Sequence, residues 1–304
     1  MKNKFFTHEI CVCAHLTQTR YAQRACAEMR IKMKVLDAEF VQGYIRMAND
    51  GWEQGWHERN GGNLTYRMKP EEVEMVKENF QPKEWTPIGT SVPKLAGEYF
   101  ISTGSGKYFR NVIIKPEDSF AIIEIDDKGE NYRIVWGLVN GGRPTSELPS
   151  HLMNHEVKLI ATGGRHRVIY HAHPANVIAM TFVLPLEDKV FTRELWEMAT
   201  ECPVVFPDGV GVVPWMVPGG RDIAVATSEL MKKYDVAIWA HHGVFVSGED
   251  FDLTFGLMHT VEKSAEIFVK VRSMAPYKLQ TITSDDFRNL AKDFKVTLPE
   301  QFLD

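Results

Sequence analysis

The chain has 304 residues, 44% of them apolar and 25% charged, with a formal net charge of −5. That is the composition of a globular protein with a sizeable core, and it gives no electrostatic reason to expect nucleic acid or an anionic membrane as a partner. No run of about 18 apolar residues offers a bilayer span, and the four cysteines, three of them in the first 26 residues, argue against a disulfide framework and for a reducing cytoplasmic setting.

Residues 1–32 differ in character from the rest. "HEICVCAHLTQTRYAQRACAEMRIK" has no helical or strand period, and polar residues interrupt it too often for a secretory signal. It is read as an N-terminal extension, either a flexible appendage or sequence upstream of a natural start at Met33. His8, Cys11, Cys13 and His15 lie within it, at a spacing that matches no common zinc module. Residues 33–304 read as one domain.

Asp37 can cap a helix running to about Trp56, with Tyr44, Ala48, Trp52 and Trp56 recurring on one face. Gly61-Gly62 breaks it, and a strand begins at Leu64. "KPEEVEMVKENF" is a short helix, "EYFISTGSGKYFRN" a strand running into a Gly/Ser loop, and "FAIIEIDDKGENYRIVWG" a hairpin. A helix is expected from Ser150 to Thr162, stopped by Gly163-Gly164. "RVIYHAH" is a strand, and Pro174 suits the first turn of the helix after it. Helical "TRELWEMAT" is followed by β structure in "CPVVFPDGVGVVPW", a helix in "RDIAVATSELMKKY", a turn-broken strand in "DVAIWAHHGVFVSG" and a long helix from Phe251 to Met274. Helices interleaved with hairpin-like strands predict helical layers over a mixed, largely antiparallel sheet, without the βαβ alternation of a Rossmann domain.

His171 and His173 stand two apart at the end of an apolar strand. Residues i and i+2 share a strand face, so both imidazoles can converge on one metal ion. A third ligand is available at the end of another apolar strand, where one of His241 and His242 can join, since adjacent strand residues face opposite ways. Glu147, in "RPTSELPSHL", can be an acid near a helix start behind the hydroxyls of Thr145 and Ser146; the same place is a ready site for an anion with an acid/base group beside it. The loops "RNGGNLT" and "STGSGK" each read alone as turns, and neither is a P-loop. Together they fit a small phosphorylated substrate.

Six segments carry a resemblance: "GWHERNGGNLTYR", "STGSGKYFRNV", "WGLVNGGRPTSELPSH", "HAHPANVIAMT", "TRELWEMATECPVVFPDGVGVVPWMVPG" and "HHGVFVSG". In these segments and their order, from about Met33 to the C-terminus, the chain resembles the zinc-dependent class II aldolase/adducin family. The resemblance implies a three-layer α/β/α fold around a largely antiparallel mixed sheet, and a homotetramer with active sites between subunits. It implies one Zn2+ per subunit held by His171, His173 and His242, with Glu147 as the catalytic carboxylate. Asn60, Gly62, Asn63, Ser105, Gly106, Thr145 and Ser146 match the positions that hold the substrate phosphate, and Glu201 matches a glutamate reaching the neighbouring subunit's site. The N-terminal extension has no counterpart in the family.

Within the family the likeness is to members that cleave L-rhamnulose 1-phosphate reversibly to dihydroxyacetone phosphate and L-lactaldehyde through a zinc-stabilised enediolate, a step of L-rhamnose catabolism. Related sugar-phosphate aldolases and pentulose-phosphate 4-epimerases share that metal chemistry. Adducin-like scaffolds share the fold without the activity, but the intact Glu147 and three histidines argue against a scaffold.

Overall fold

A computed structural model describes residues 33–304. The N-terminal extension, with the His8, Cys11, Cys13 and His15 group, lies outside the described residues. In chain order the elements are α1 (Glu39–Glu53), β1 (Asn63–Arg67), α2 (Pro70–Val76), β2 (Thr86–Pro87), β3 (Tyr99–Thr103), α3 (Pro116–Ser119), β4 (Phe120–Ile125) and β5 (Asn131–Gly137). There follow α4 (Leu148–Ala161), β6 (Val168–Ala172), α5 (Ala175–Met180), α6 (Asp188–Trp196), α7 (Cys202–Val205), β7 (Gly211–Val213) and α8 (Arg221–Met231). The chain closes with β8 (Val236–Trp239), β9 (Gly243–Gly248), α9 (Phe251–Met274) and α10 (Ser284–Phe294).

The strands form one nine-stranded sheet in the order β2-β5-β4-β3-β1-β6-β9-β8-β7. Every pairing is antiparallel except β7 with β8, which run parallel because α8 carries the chain back between them. The two-residue period sorts the sheet's side chains cleanly. Val168, Tyr170 and Ala172 of β6 and Val244 and Val246 of β9 join the core beneath α1 and α9. Ile169 of β6, Phe245 of β9 and Ala237 and Trp239 of β8 face the other way, toward α4 and α8. The sheet is thus buried on both faces, giving the expected α/β/α layering.

The long helix and the β4–β5 hairpin lie where their patterns place them. Three local expectations change. Asp37 sits in a 3-10 turn, and Ala38, without a side-chain bond, caps α1, which ends at Glu53 rather than Trp56. Helix α4 starts two residues before Ser150, so that Glu147 itself is its N-cap. The "CPVV" run is a helical turn and only Gly211–Val213 of that stretch is a strand, because Pro203 in the first turn favours helix over a sheet ladder. Among the described residues no helix is long and apolar enough to cross a membrane.

Candidate active site

The site forms where β1, β6 and β9 lie side by side. Their register pairs Asn63 with His171 and His171 with Phe245, so these three side chains share the face covered by α4. His173 lies just past β6, with its backbone N–H donating to the Trp56 carbonyl (3.0 Å). His242 lies in the tight turn between β8 and β9, where its N–H donates to the Trp239 carbonyl (3.1 Å). The ring centroids of His171, His173 and His242 make a triangle with sides of 5.0 Å. One nitrogen from each lies within 4.8 Å of the others.

That turn decides between the adjacent histidines. His241 takes a left-handed φ of 61°. It turns to Thr181, whose hydroxyl accepts its backbone N–H (3.0 Å) and lies 3.1 Å from its Nδ1. His242 is left to face the other two. Gly243 makes the approach possible: a Cβ there would meet the Ala172 carbonyl oxygen at 2.4 Å and the His173 ring at 2.9 Å.

The buried Nε2 atoms of His171 and His173 have no hydrogen-bond partner among the described residues. In both rings Nδ1 is engaged, by the Val244 carbonyl for His171 (3.1 Å) and by the Glu58 carboxylate for His173 (2.7 Å). Nδ1 therefore carries the proton and Nε2 presents a bare lone pair. Burial, then the neighbouring His173 and His242 rings, holds His171 neutral well below its ordinary range; burial and His173 push His242 down to about 4. Three converging imidazoles, two of them with unsatisfied Nε2 atoms, fit a divalent cation.

Glu147 stands at the start of α4 with Oε2 4.0 Å from His171 Nε2. Asn63 Nδ2 donates to the same oxygen at 3.0 Å. Burial raises the Glu147 pKa, and the Asn63 bond offsets part of that rise. A buried carboxyl held by one amide donor can exchange a proton with a group placed beside it.

The loops expected to take phosphate are brought together. Gly104 bridges Pro144, the Ser105 N–H donates to the Arg143 carbonyl (2.8 Å), and the Thr145 N–H donates to the Thr103 carbonyl (2.7 Å). Ser105, Gly106 and Ser146 are exposed there, and Thr145 is buried with its hydroxyl accepting the Glu147 N–H at 3.3 Å. Gly62, at φ 75°, packs against the His171 backbone, where a Cβ would lie 2.6 Å from the carbonyl oxygen; Asn60 is exposed in the same loop. The Asn63 amide differs from its loop neighbours, because its two ends go to Glu147 and to His151. Glu201 caps α7, whose neighbours are α6, α9 and α10; it is exposed and makes no hydrogen bond or ion pair with the described residues of the cluster.

Residue-by-residue inspection of the sequence missed several supporting groups. Glu58 orients His173 across 115 residues of chain. His57 stacks on Phe109 with centroids 3.7 Å apart; it donates from Nδ1 to the Gly61 carbonyl (3.0 Å) and accepts the Tyr170 hydroxyl (2.6 Å). It thereby braces the Gly61-Gly62 loop from below. The only sequence signal for either was adjacency to "RNGG", which names no partner.

Comparison with known proteins matches this arrangement to a family. A profile of the class II aldolase and adducin N-terminal domain covers residues 42–269. A rhamnulose-1-phosphate aldolase of Mannheimia succiniciproducens is 53% identical over 264 residues, 86% of this chain and 97% of the relative. One from Klebsiella pneumoniae subsp. pneumoniae is 48% identical over 271 residues, 89% of this chain and 98% of that relative. Among solved structures, a sugar-phosphate aldolase from Thermotoga maritima superposes with a TM-score of 0.68 at 25% identity, covering 79% of this chain and 97% of its own. An L-fuculose 1-phosphate aldolase at 19% identity shares the fold, with a TM-score of 0.56 over 85% of this chain and 97% of its own. The chain belongs to the class II aldolase/adducin family.

Proposed function

We propose that this chain is a lyase that cleaves L-rhamnulose 1-phosphate reversibly to dihydroxyacetone phosphate and L-lactaldehyde. The observation that carries the reaction class is the convergence of two orphaned Nε2 atoms and a third imidazole beside a buried carboxyl. Relatives about half identical over nearly their whole length, each named rhamnulose-1-phosphate aldolase, support the substrate.

His171, His173 and His242 would hold the ion, which we assign as Zn2+, one per subunit, because three imidazoles with an open fourth position suit catalytic zinc. When bound, it supplies Lewis-acid stabilisation for negative charge on the ketose oxygens. As the C3–C4 bond breaks, C4 becomes the aldehyde carbon, and its hydroxyl proton leaves. The electron pair stays with C3, delocalised toward the C2 oxygen. Glu147 gives its proton to C3 in cleavage and removes it in synthesis. Asn60, Gly62, Ser105, Gly106, Thr145 and Ser146, with the Asn63 backbone, anchor the phosphate and so hold C3 beside Glu147.

Glu201 of a neighbouring subunit is assigned to the proton at the C4 oxygen, in a homotetramer. Apolar surface adjoining the metal cluster favours assembly there: Phe182 is 69% exposed, with its ring 4.2 Å from His241. Coupled assays on rhamnulose, fuculose and ribulose phosphates test the substrate. Cleavage of rhamnulose 1-phosphate at the highest kcat/KM is expected; preference for either of the others would overturn the assignment. Light scattering should give four chains per particle.

A further inference from the structure

Glu147 is held through side chains that run far behind the site. Asn63 gives Nδ2 to its carboxylate, and Asn63 Oδ1 meets His151 Nε2. His151 Nδ1 lies 2.8 Å from the Thr65 hydroxyl, which lies 2.8 Å from His155 Nε2. Asn63 and Thr65 share one face of β1, and His151 and His155 are one turn apart on α4, so the line follows the strand–helix interface. Thr65 and His151 have no exposure and His155 has 1%.

One assignment of protons satisfies every link with Glu147 ionised. An amide whose NH2 serves the carboxylate can only accept at its oxygen, so His151 carries its proton on Nε2. Its Nδ1 is then an acceptor for the Thr65 hydroxyl, and that oxygen accepts from His155 Nε2–H. Water cannot replace a missing link in so closed a setting, and an unpartnered polar atom there is costly.

We propose that His151, backed by Thr65 and His155, is a positioning residue for Glu147: it keeps the NH2 end of the Asn63 amide toward the carboxylate. Without that donor the amide is free to rotate and set its oxygen against the carboxylate, displacing Glu147 from the reacting carbon. The effect on turnover rests on the aldolase function proposed above; the proton arrangement does not.

Three variants test it. In His151→Gln the side-chain NH2 can occupy the Nε2 position and keep the bond to Asn63. In His151→Asn the shorter amide reaches only the Nδ1 position and keeps only Thr65. His151→Asn is expected to lose kcat by about tenfold to a hundredfold, the weight of a buried hydrogen bond to a catalytic group, with KM and metal content unchanged. His151→Gln should recover most of that loss. Wild-type kcat in His151→Asn, or equal impairment of both, would overturn the proposal. Should both fail to fold by circular dichroism, Thr65→Val preserves shape and must lower kcat severalfold; undiminished turnover there would also overturn it. Independently of activity, imidazole 15N shifts of the wild-type protein should show His151 and His155 protonated at Nε2. A His151 protonated at Nδ1 refutes the assignment, whereas the Nε2 pattern in a protein that cleaves no sugar phosphate upholds it and overturns only the function.

Discussion

At the scale of single residues, the proposed reaction gives Glu147 and the imidazoles different roles, and substitution separates them. Glu147→Gln keeps the shape and the Asn63 contact but has no exchangeable carboxyl proton, so metal content should stay near one per chain while kcat falls about 10²–10⁴-fold. Full activity in that variant would remove Glu147 from the chemistry. His173→Ala should lose metal and turnover together, measured by elemental analysis and the coupled assay. Glu58 offers a subtler case. Its carboxylate fixes His173 with Nε2 bare (Nδ1 to Oε1, 2.7 Å), and Glu58→Gln should weaken metal affinity by about 10–100-fold in chelator competition. The i, i+2 spacing of His171 and His173 suggested their pairing, although His173 lies just past β6, where the bond from its backbone N–H to the Trp56 carbonyl places it. Glu58 was not, since nothing local in "HERNGG" says which ring 115 residues away it will meet.

The elements matter through their register. Pairing of β1 with β6 and β6 with β9 puts Asn63, His171 and Phe245 in one row, and the stacking of His171 on Phe245 (centroids 4.3 Å) holds the ring upright. The short β8–β9 turn depends on Gly243, where any Cβ collides with the Ala172 carbonyl and the His173 ring. Gly243→Ala should therefore lower both the metal affinity and the thermal midpoint; a variant with unchanged metal binding would show that the turn can yield. Period and punctuation revealed most of the longer elements, down to the ends of the helix Phe251–Met274, which Asp250 caps through its side chain. They misplaced the start of α4, where Pro149 in the first turn and the buried Leu148 pull the helix forward to Glu147. The terminal helix α10 carries a readable capping box, Thr283 with Asp286, that went unnoticed. Strand order could not be read, because β1 bonds to β6 about a hundred residues later and no local pattern encodes that choice.

For the molecule as a whole, the buried neutral histidines tie stability to pH. Burial lowers His57 and His151 to about 3, and drives His155 and His171 down as well. A histidine whose folded pKa lies below its unfolded value near 6.5 contributes fully above that value, and the contribution falls as pH drops toward the folded pKa. Between pH 7 and 5, His57 and His151 should each remove about 2 kcal/mol from the stability of the metal-free protein. Denaturant titrations at the two pH values check this; equal stabilities would mean that the rings are solvated or charged in the folded state. The same burial keeps His171 and His242 unprotonated at neutral pH, ready for a cation.

The most direct test follows cleavage of rhamnulose 1-phosphate while chelated protein is reloaded with zinc. Activity should be absent at zero zinc, rise linearly with bound metal and level off at one ion per chain. Undiminished turnover in protein shown by elemental analysis to be free of metal would contradict the account.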